Sequence, residues 1–395
     1  MPSFSPPICT LRFRFPSRRS LRKTSPRAPV AFALTHPRTR PDGAPQSSHP
    51  EGDRFAAPLS RAIAHRRAHV AARRSDAFRA LSGDTEGAPG VFVDVYGPGA
   101  VLMVYEGRTP RDFDAPSAAR TALGLLAPLG VTAVYIKHFL KDRPKLGGEL
   151  PEDVTNPAPS AGEPLPEALI IREVDWRLEV RLYDGLSTGL FLDQRENRAA
   201  LAAEVARRAR SAPPAVLNTF AYTCAFSVAT AAAGAITTSV DVSGRYLEWG
   251  KRNFAHNALD PAAHRFAKMD TFEFFAYARR KNLSYDLIIL DPPSYAAGSK
   301  KKGYKAFSSV ADYAGLVREA APLLRRGGAI FASTNTQELC RPTHPGGPAR
   351  LEREIAKGLG LPAGRSPRWL RLPPPPQDFG LERDRFTARF FTLNT

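Results

Sequence analysis

From Pro214 onward, apolar and polar positions repeat in a rhythm of short aliphatic runs and longer amphipathic stretches. The runs Ala215–Thr219, Thr237–Val242, His264–Lys268, Leu287–Leu290 and Ala329–Thr334 read as strands. Between them, Ser227–Ala233, Arg245–Asn257, Thr271–Arg279 and Ala311–Leu324 carry helical spacing. Strands alternating with helices of this length predict βαβ units, and so a Rossmann-like, doubly wound, mostly parallel α/β sheet. Leu287–Leu290 holds only large aliphatic residues, the pattern of a strand buried on both faces. Arg383–Leu393 alternates apolar and polar positions, which predicts a late antiparallel strand.

A smaller α/β pattern comes first. Ala88–Gly97 and Ala100–Tyr105 read as strands joined by the turn Gly97–Gly99, followed by a helix at Ser117–Ala127 and a strand at Val131–Ile136. The basic run Lys137–Lys145 reads as a solvated loop, with phosphate contact as the alternative. Leu169–Val174 and Leu178–Tyr183 make a hairpin. Asp193 then stands where it can cap an Ala-rich helix that runs to about Arg208. These patterns divide the chain into a leader (1–74), a small α/β domain (75–184) and a larger domain (185–395). Proline density makes Met1–Pro58 an unfolded stretch, with a short helix possible from Arg61.

Charge changes this picture only locally. The net charge is +18, but residues 1–74 hold 15 Lys and Arg against three acids, so most of the excess is in the leader. Residues 1–41 contain no acid and nine basic residues, which fits a transit peptide, a basic tail or an upstream extension equally well. A cytoplasmic protein is expected, or a mitochondrial or plastid one if that stretch is a transit peptide. No stretch approaches the roughly 20 apolar residues that cross a bilayer, so no membrane partner is expected. Three unpaired cysteines argue against a disulfide framework or a metal site.

The candidate chemistry lies in four loops at successive strand ends, where open α/β sheets bind ligands. After Val216-Leu217 comes Asn218-Thr-Phe-Ala-Tyr-Thr-Cys-Ala, whose small residues Thr223–Ala225 let backbone approach a ligand. It is not a Gly-x-Gly-x-x-Gly fingerprint. Asp241 ends the second strand, where a ribose diol is commonly held, and Asp270 ends the third, placed to accept from an adenine amine. The fourth loop is Asp291-Pro-Pro-Ser-Tyr, in which Pro292 and Pro293 stop the strand and stiffen the turn. A carboxylate beside an aromatic ring there suits a flat base. Lys300, Lys301, Lys302 and Lys305, interleaved with Tyr304 and Phe307, follow directly and suit RNA phosphates and stacked bases. A solvated lysine loop is the plain alternative.

Taken with Thr188-Gly-Leu-Phe-Leu-Asp-Gln-Arg-Glu-Asn-Arg, these loops give the chain a specific likeness. It resembles class I S-adenosyl-L-methionine-dependent methyltransferases, and more narrowly the bacterial large-subunit ribosomal RNA enzymes of the cytosine-C5 and guanine-N7 type. The resemblance covers roughly Asp76 to the C-terminus. It implies that Gln194 and Arg195 hold the methionine part of the donor, and that the Asn218–Ala225 loop, with Asn218, Phe220, Tyr222 and Thr223, cradles it. It also implies that Asp241, with Ser243, binds the ribose, that Asp270 binds the adenine, and that Asp291, Pro292, Pro293 and Tyr295 line the transfer site. The small domain becomes a substrate-recognition domain, and large-subunit ribosomal RNA the partner.

The chain departs from that family in three places. Cys224-Ala225 replaces the usual pair of glycines and is expected to narrow the donor pocket. Residues 1–74 lack the strand pattern of the family's leading RNA-binding domain. Thr334 or Asn335 stands where the cytosine-C5 enzymes carry a nucleophilic cysteine, and C5 chemistry needs that thiolate. An amine or ring nitrogen is then the expected target, with Ser333, Thr334 and Asn335 at the base edge. Two other readings stay open: a protein or small-molecule methyltransferase, and a non-catalytic RNA-binding assembly protein.

Overall fold

The computed structural model describes residues 51–72, 75–141, 152–209, 212–298, 305–342, 349–379 and 386–393. Among these, α1 (Glu51–Ala72) corrects the expected leader. Phe55, Leu59 and Ala62 recur at the spacing of one helical face and are buried. They pack against Phe78, Leu81, Ala119 and Ala122 in a single core, so folded structure starts well before Ala77. The dense arginines and Pro58 hide this stripe in the sequence. Arg66, at the far end of the stripe, is buried and pairs with Glu86 at 2.7 Å.

The small sheet runs in the order β1 (Ala77–Ser82), β2 (Val91–Tyr96), β3 (Gly99–Tyr105), β4 (Ala133–Phe139), β5 (Ala161–Gly162). The β3–β4 pair is parallel, and the other pairs are antiparallel. Strand alternation sorts its side chains into two buried sets. Val91, Val93, Ala100, Leu102, Val134 and Ile136 face α1 and α2 (Ala115–Leu126). Tyr96, Val101, Ala133 and Tyr135 face the other way and share a core with Leu190, Ala221, Cys224 and Phe254. A sheet covered on both sides is not separable at residue 184, and residues 48–395 form one compact unit. Lys137 is likewise no loop residue. Its ammonium is buried and donates to the carbonyls of Gly185 and Leu186, at 2.6 and 3.3 Å.

The hairpin β6 (Leu169–Glu173) and β7 (Trp176–Val180) leads into the larger layer. There, β8 (Ala215–Thr219), β9 (Ile236–Asp241), β10 (Arg265–Lys268), β11 (Tyr285–Leu290), β12 (Leu324–Thr334), β13 (Arg368–Leu370) and β14 (Thr387–Thr392) form one sheet. Its order is β10-β9-β8-β11-β12-β14-β13. The first five strands are parallel, and β14 runs antiparallel to both of its neighbours. Leu287–Leu290 in β11 are completely buried, as their aliphatic run requires. Ile288 sits opposite Leu217 of β8 and Ile330 of β12.

Helices cover this sheet: α3 (Arg195–Arg208), which leads into β8, and the crossovers α4 (Ala225–Ala232), α5 (Gly244–His256), α6 (Thr271–Arg280) and α7 (Ser309–Ala320). Asp193 does not cap α3. A single 3-10 turn, Leu192–Gln194, comes first, and Gln194 takes the cap position without a side-chain bond. No helix among the described residues is long and apolar enough to cross a membrane.

Candidate active site

The parallel strands end together, and the side chains just beyond them enclose a cleft of about 430 Å³. After β8 the chain turns through Phe220, Tyr222 and Cys224, which all have left-handed backbones, with φ of +52°, +49° and +63°. Asp241, at the end of β9, holds this turn. One of its oxygens accepts the Tyr222 N–H at 2.9 Å and the other the Ser243 N–H at 2.8 Å. Each carboxylate oxygen keeps a further lone pair, which suits two vicinal hydroxyls. Burial raises the Asp241 pKa, while these two N–H groups oppose the shift. Asp270 caps α6, accepting from the Phe272 and Glu273 N–H groups at 2.9 and 3.3 Å.

Asp291 follows β11 at the floor of the cleft. Its Oδ1 accepts from Gln194 Nε2 at 3.0 Å and from Ser333 Oγ at 2.6 Å. Gln194 is held in turn by Asn197 Nδ2, at 2.9 Å from its Oε1. Burial pushes the Asp291 carboxyl up to about 6, and the charge of Asp193 adds to this. The Pro–Pro turn is fixed from behind. Ser309 Oγ donates to the Pro293 carbonyl at 2.9 Å, and the Tyr313 hydroxyl donates to the carbonyls of Leu290 and Ser333.

The cleft thus gathers Gln194, Phe220, Tyr222, Asp241, Ser243, Asp270, Asp291, Pro292, Pro293 and Lys305 from the expected set. The remaining members lie elsewhere. Arg195 is buried away from the cleft, where its Nη2 meets Asp378 Oδ1 at 2.5 Å and its Nη1 donates to the Ala77 carbonyl at 3.1 Å. Asn218 is buried and donates to Ser227 Oγ, and Thr223 donates to the Gly189 carbonyl at 2.6 Å. These two shape the turn from below. Tyr295 is 65% exposed and pairs with Ser308 in a two-residue ladder outside the cleft lining. Lys300, Lys301 and Lys302 lie outside the described residues.

Gly189 explains part of the distinctive run. Its φ is +99°, and a Cβ there would come within 2.4 Å of the Trp249 ring. Val242, Thr271, Phe307 and Asn335 also line the cleft. Of these, Phe307 and Asn335 carry a signal in the sequence, and Asn335 Oδ1 accepts from Ser294 Oγ at 2.7 Å.

Two expectations about the departures need correction. Cys224 does not narrow the cleft, because its side chain is fully buried and points at Gly250 of α5. Burial pushes its thiol up to about 12. Ser333 and Thr334 are not at a base edge. Both are completely buried, Ser333 supporting Asp291 and Thr334 accepting the Thr336 N–H.

A family model described as S-adenosylmethionine-dependent methyltransferase matches residues 153–345, which span the hairpin, the loops that line the cleft and all of β12. Over that stretch, just under half of the chain, it is similar to the S-adenosylmethionine-dependent methyltransferases. A Bacillus subtilis protein named as a ribosomal RNA large subunit methyltransferase, YwbD, is 36% identical over 71% of this chain and 66% of its own length. The K/L methyltransferase of Colwellia psychrerythraea is 30% identical over 81% of this chain and 41% of its own length. The chain therefore spans just under two thirds of the first relative and well under half of the second. Among solved structures, a methyltransferase complexed with SAH, SMU.776, is 28% identical with a TM-score of 0.70, covering 88% of this chain and 83% of its own. A SAM-dependent methyltransferase from Streptococcus mutans gives 29% and 0.69 over the same shares. The family's donor suits the cleft: an acid with free lone pairs ends β9, a second acid ends β10, and a third lies at the floor.

Proposed function

We propose that this chain methylates a base of large-subunit ribosomal RNA, at an exocyclic amine or ring nitrogen. Both named relatives act, by their titles, on that RNA. The observation that carries the choice of atom is the placement of the thiols. Of the two described cysteines, Cys224 points into the core behind the donor turn, and Cys340 lies buried with its Sγ 3.5 Å from the Thr334 carbonyl. Neither lines the cleft. With neither described thiol in the cleft to add to a pyrimidine ring, the reaction reduces to aligning a nitrogen lone pair with the sulfonium methyl, a matter of positioning and electrostatics.

In this reading Asp241 takes the donor's ribose hydroxyls, Asp270 its adenine amine through the carboxylate oxygen not used for capping, and Gln194 and Tyr222 its methionine part. Asp291, Pro292 and Pro293 form the wall against which the base is held. Lys305 stands at the cleft rim, where it can meet phosphate. When bound, the donor supplies an electrophilic methyl on a sulfonium. The test is mass mapping of ribosomal RNA modifications in cells with and without the gene. One methylated nitrogen should disappear from the large-subunit RNA. Loss of a 5-methylcytosine instead would sink the argument from the thiols.

A further inference from the structure

A second cleft, of about 370 Å³, opens beside the first, between the small sheet and the start of α3. The two share Ser187, Phe191, Asp193, Tyr222, Asn335 and Phe386 along their common wall. On its far side Tyr105 and Phe139 lie stacked, with centroids 4.5 Å apart and planes 13° from parallel. The Arg108 guanidinium sits 5.3 Å from the Tyr105 centroid. An aromatic platform edged by a cation is what stacks a single unpaired base, whatever its sequence. The volume falls within the range of small-ligand pockets, roughly 300–1,000 Å³.

Asp193 stands at the junction. Its carboxylate lines both clefts, and its Oδ1 is buried without a hydrogen-bond partner among the described residues. Such an atom is costly to leave unmet, so it marks a place for a donor from outside the chain. The charged groups around it are accounted for. Arg79 of β1 is committed to Asp94 of β2 by two bonds of 2.8 and 3.1 Å. Arg198 of α3 is committed to Glu173 of β6 at 2.6 and 2.7 Å. Asp291, beyond β11, already accepts from Gln194 and Ser333. Burial raises the Asp193 pKa, with Arg79 and Arg198 opposing.

We propose that the second cleft seats one unstacked nucleobase on Tyr105 and Phe139, and that Asp193 binds the N–H of the nitrogen being methylated and takes its proton. This rests on the function proposed above and narrows it to a nitrogen that carries hydrogen. The nitrogen's lone pair forms the new N–CH₃ bond as the S–CH₃ bond breaks. The broken bond's electron pair stays on sulfur, leaving a neutral thioether. The positive charge on nitrogen is discharged when its proton passes to the Asp193 carboxylate and then to water. The two acids thus have different tasks: Asp291 is partnered and fixed, and Asp193 keeps one oxygen without a partner.

The experiment uses the full chain and undermethylated large-subunit ribosomal RNA from cells lacking the gene. Donor Kd, RNA Kd and the single-turnover rate at saturation are measured separately. Asp193→Asn should lower the saturated rate at least 100-fold with donor Kd within threefold, and Asp193→Glu should recover part of the loss. Phe139→Leu should weaken RNA binding about tenfold, the size of one lost stacking contact. A loss of donor affinity with an unchanged saturated rate in Asp193→Asn would make Asp193 a donor ligand and overturn the proposal. So would unchanged RNA binding in Phe139→Leu. If Asp193→Asn does not fold, Phe139→Leu decides the seat alone. Wild-type protein that binds donor yet transfers nothing to this RNA would refute the proposed function itself, and this inference with it.

Discussion

Asp378 and Arg195 form a buried ion pair, 2.5 Å between Oδ1 and Nη2, that joins a late turn of the chain to the first residue of α3. The turn, Gln377–Phe379, also reaches the small sheet, because Asp378 Oδ2 accepts the Arg79 N–H at 2.9 Å and its carbonyl accepts from Arg66 at 3.2 Å. One residue therefore clamps α1, β1 and α3, its carboxylate holding β1 and α3 and its carbonyl α1. Removing one partner of a buried pair strands the other. Asp378→Ala should cost about 3–5 kcal/mol in denaturant unfolding. Arg195→Lys should also destabilise, because a point charge cannot reproduce the fork. Donor Kd in folded Arg195→Lys should stay within threefold, and a large loss would return Arg195 to the donor site.

Asp241 is predicted to serve both the turn and the donor. Asp241→Asn keeps one acceptor but loses charge and places an N–H₂ group opposite an N–H. Donor affinity, read by calorimetry, should fall about 10- to 100-fold, the scale of one to two charge-assisted bonds.

Asp291 gives a pH signature. Its folded pKa, about 6, lies above the ordinary carboxylate value of 3.8, so the folded state binds the proton more tightly than the unfolded one. The buried charge is a destabilising term, fully present above pH 6 and relieved as pH falls from 6 toward 4. Asp291→Asn should thus stabilise the fold at pH 8 by a few kcal/mol at most and flatten that part of the stability profile. Denaturant midpoints between pH 5 and 8 would show it. The same variant should lose transfer activity.

Cys224 offers a double-mutant test. A Cβ on Gly250 would lie 2.4 Å from the Cys224 sulfur, so Gly250→Ala should destabilise by about 1–3 kcal/mol. Shortening the partner, in Cys224→Ala with Gly250→Ala, should restore much of it. Cys224→Ala alone should leave donor affinity unchanged, because the side chain does not face the cleft.

The sheet was legible because its signals are local. Leu287–Leu290 could only be a doubly buried strand, and each acid following a strand run had one place to go. The tasks of Arg195 and Asn218 were not legible. Asp378 lies 183 residues from Arg195, and no local pattern links them. Asn218 is turned inward to Ser227 by the register of β8, which alternates sides residue by residue. Helix α1 was missed for a different reason: three apolar residues in a basic, proline-bearing stretch make a weak stripe until a sheet is there to receive it.

The turn after β8 has a further consequence. Phe220, Tyr222 and Cys224 hold left-handed backbones without being glycine, at about 1–2 kcal/mol each. Such a turn persists only where its surroundings dictate it, and here Asp241, Gly189 and Asn253 each hold one of its polar groups. Glycines would have made the same shape one of many. A methyl donor seated as proposed would consequently meet a finished mould, with little of its binding energy spent on ordering the chain around it.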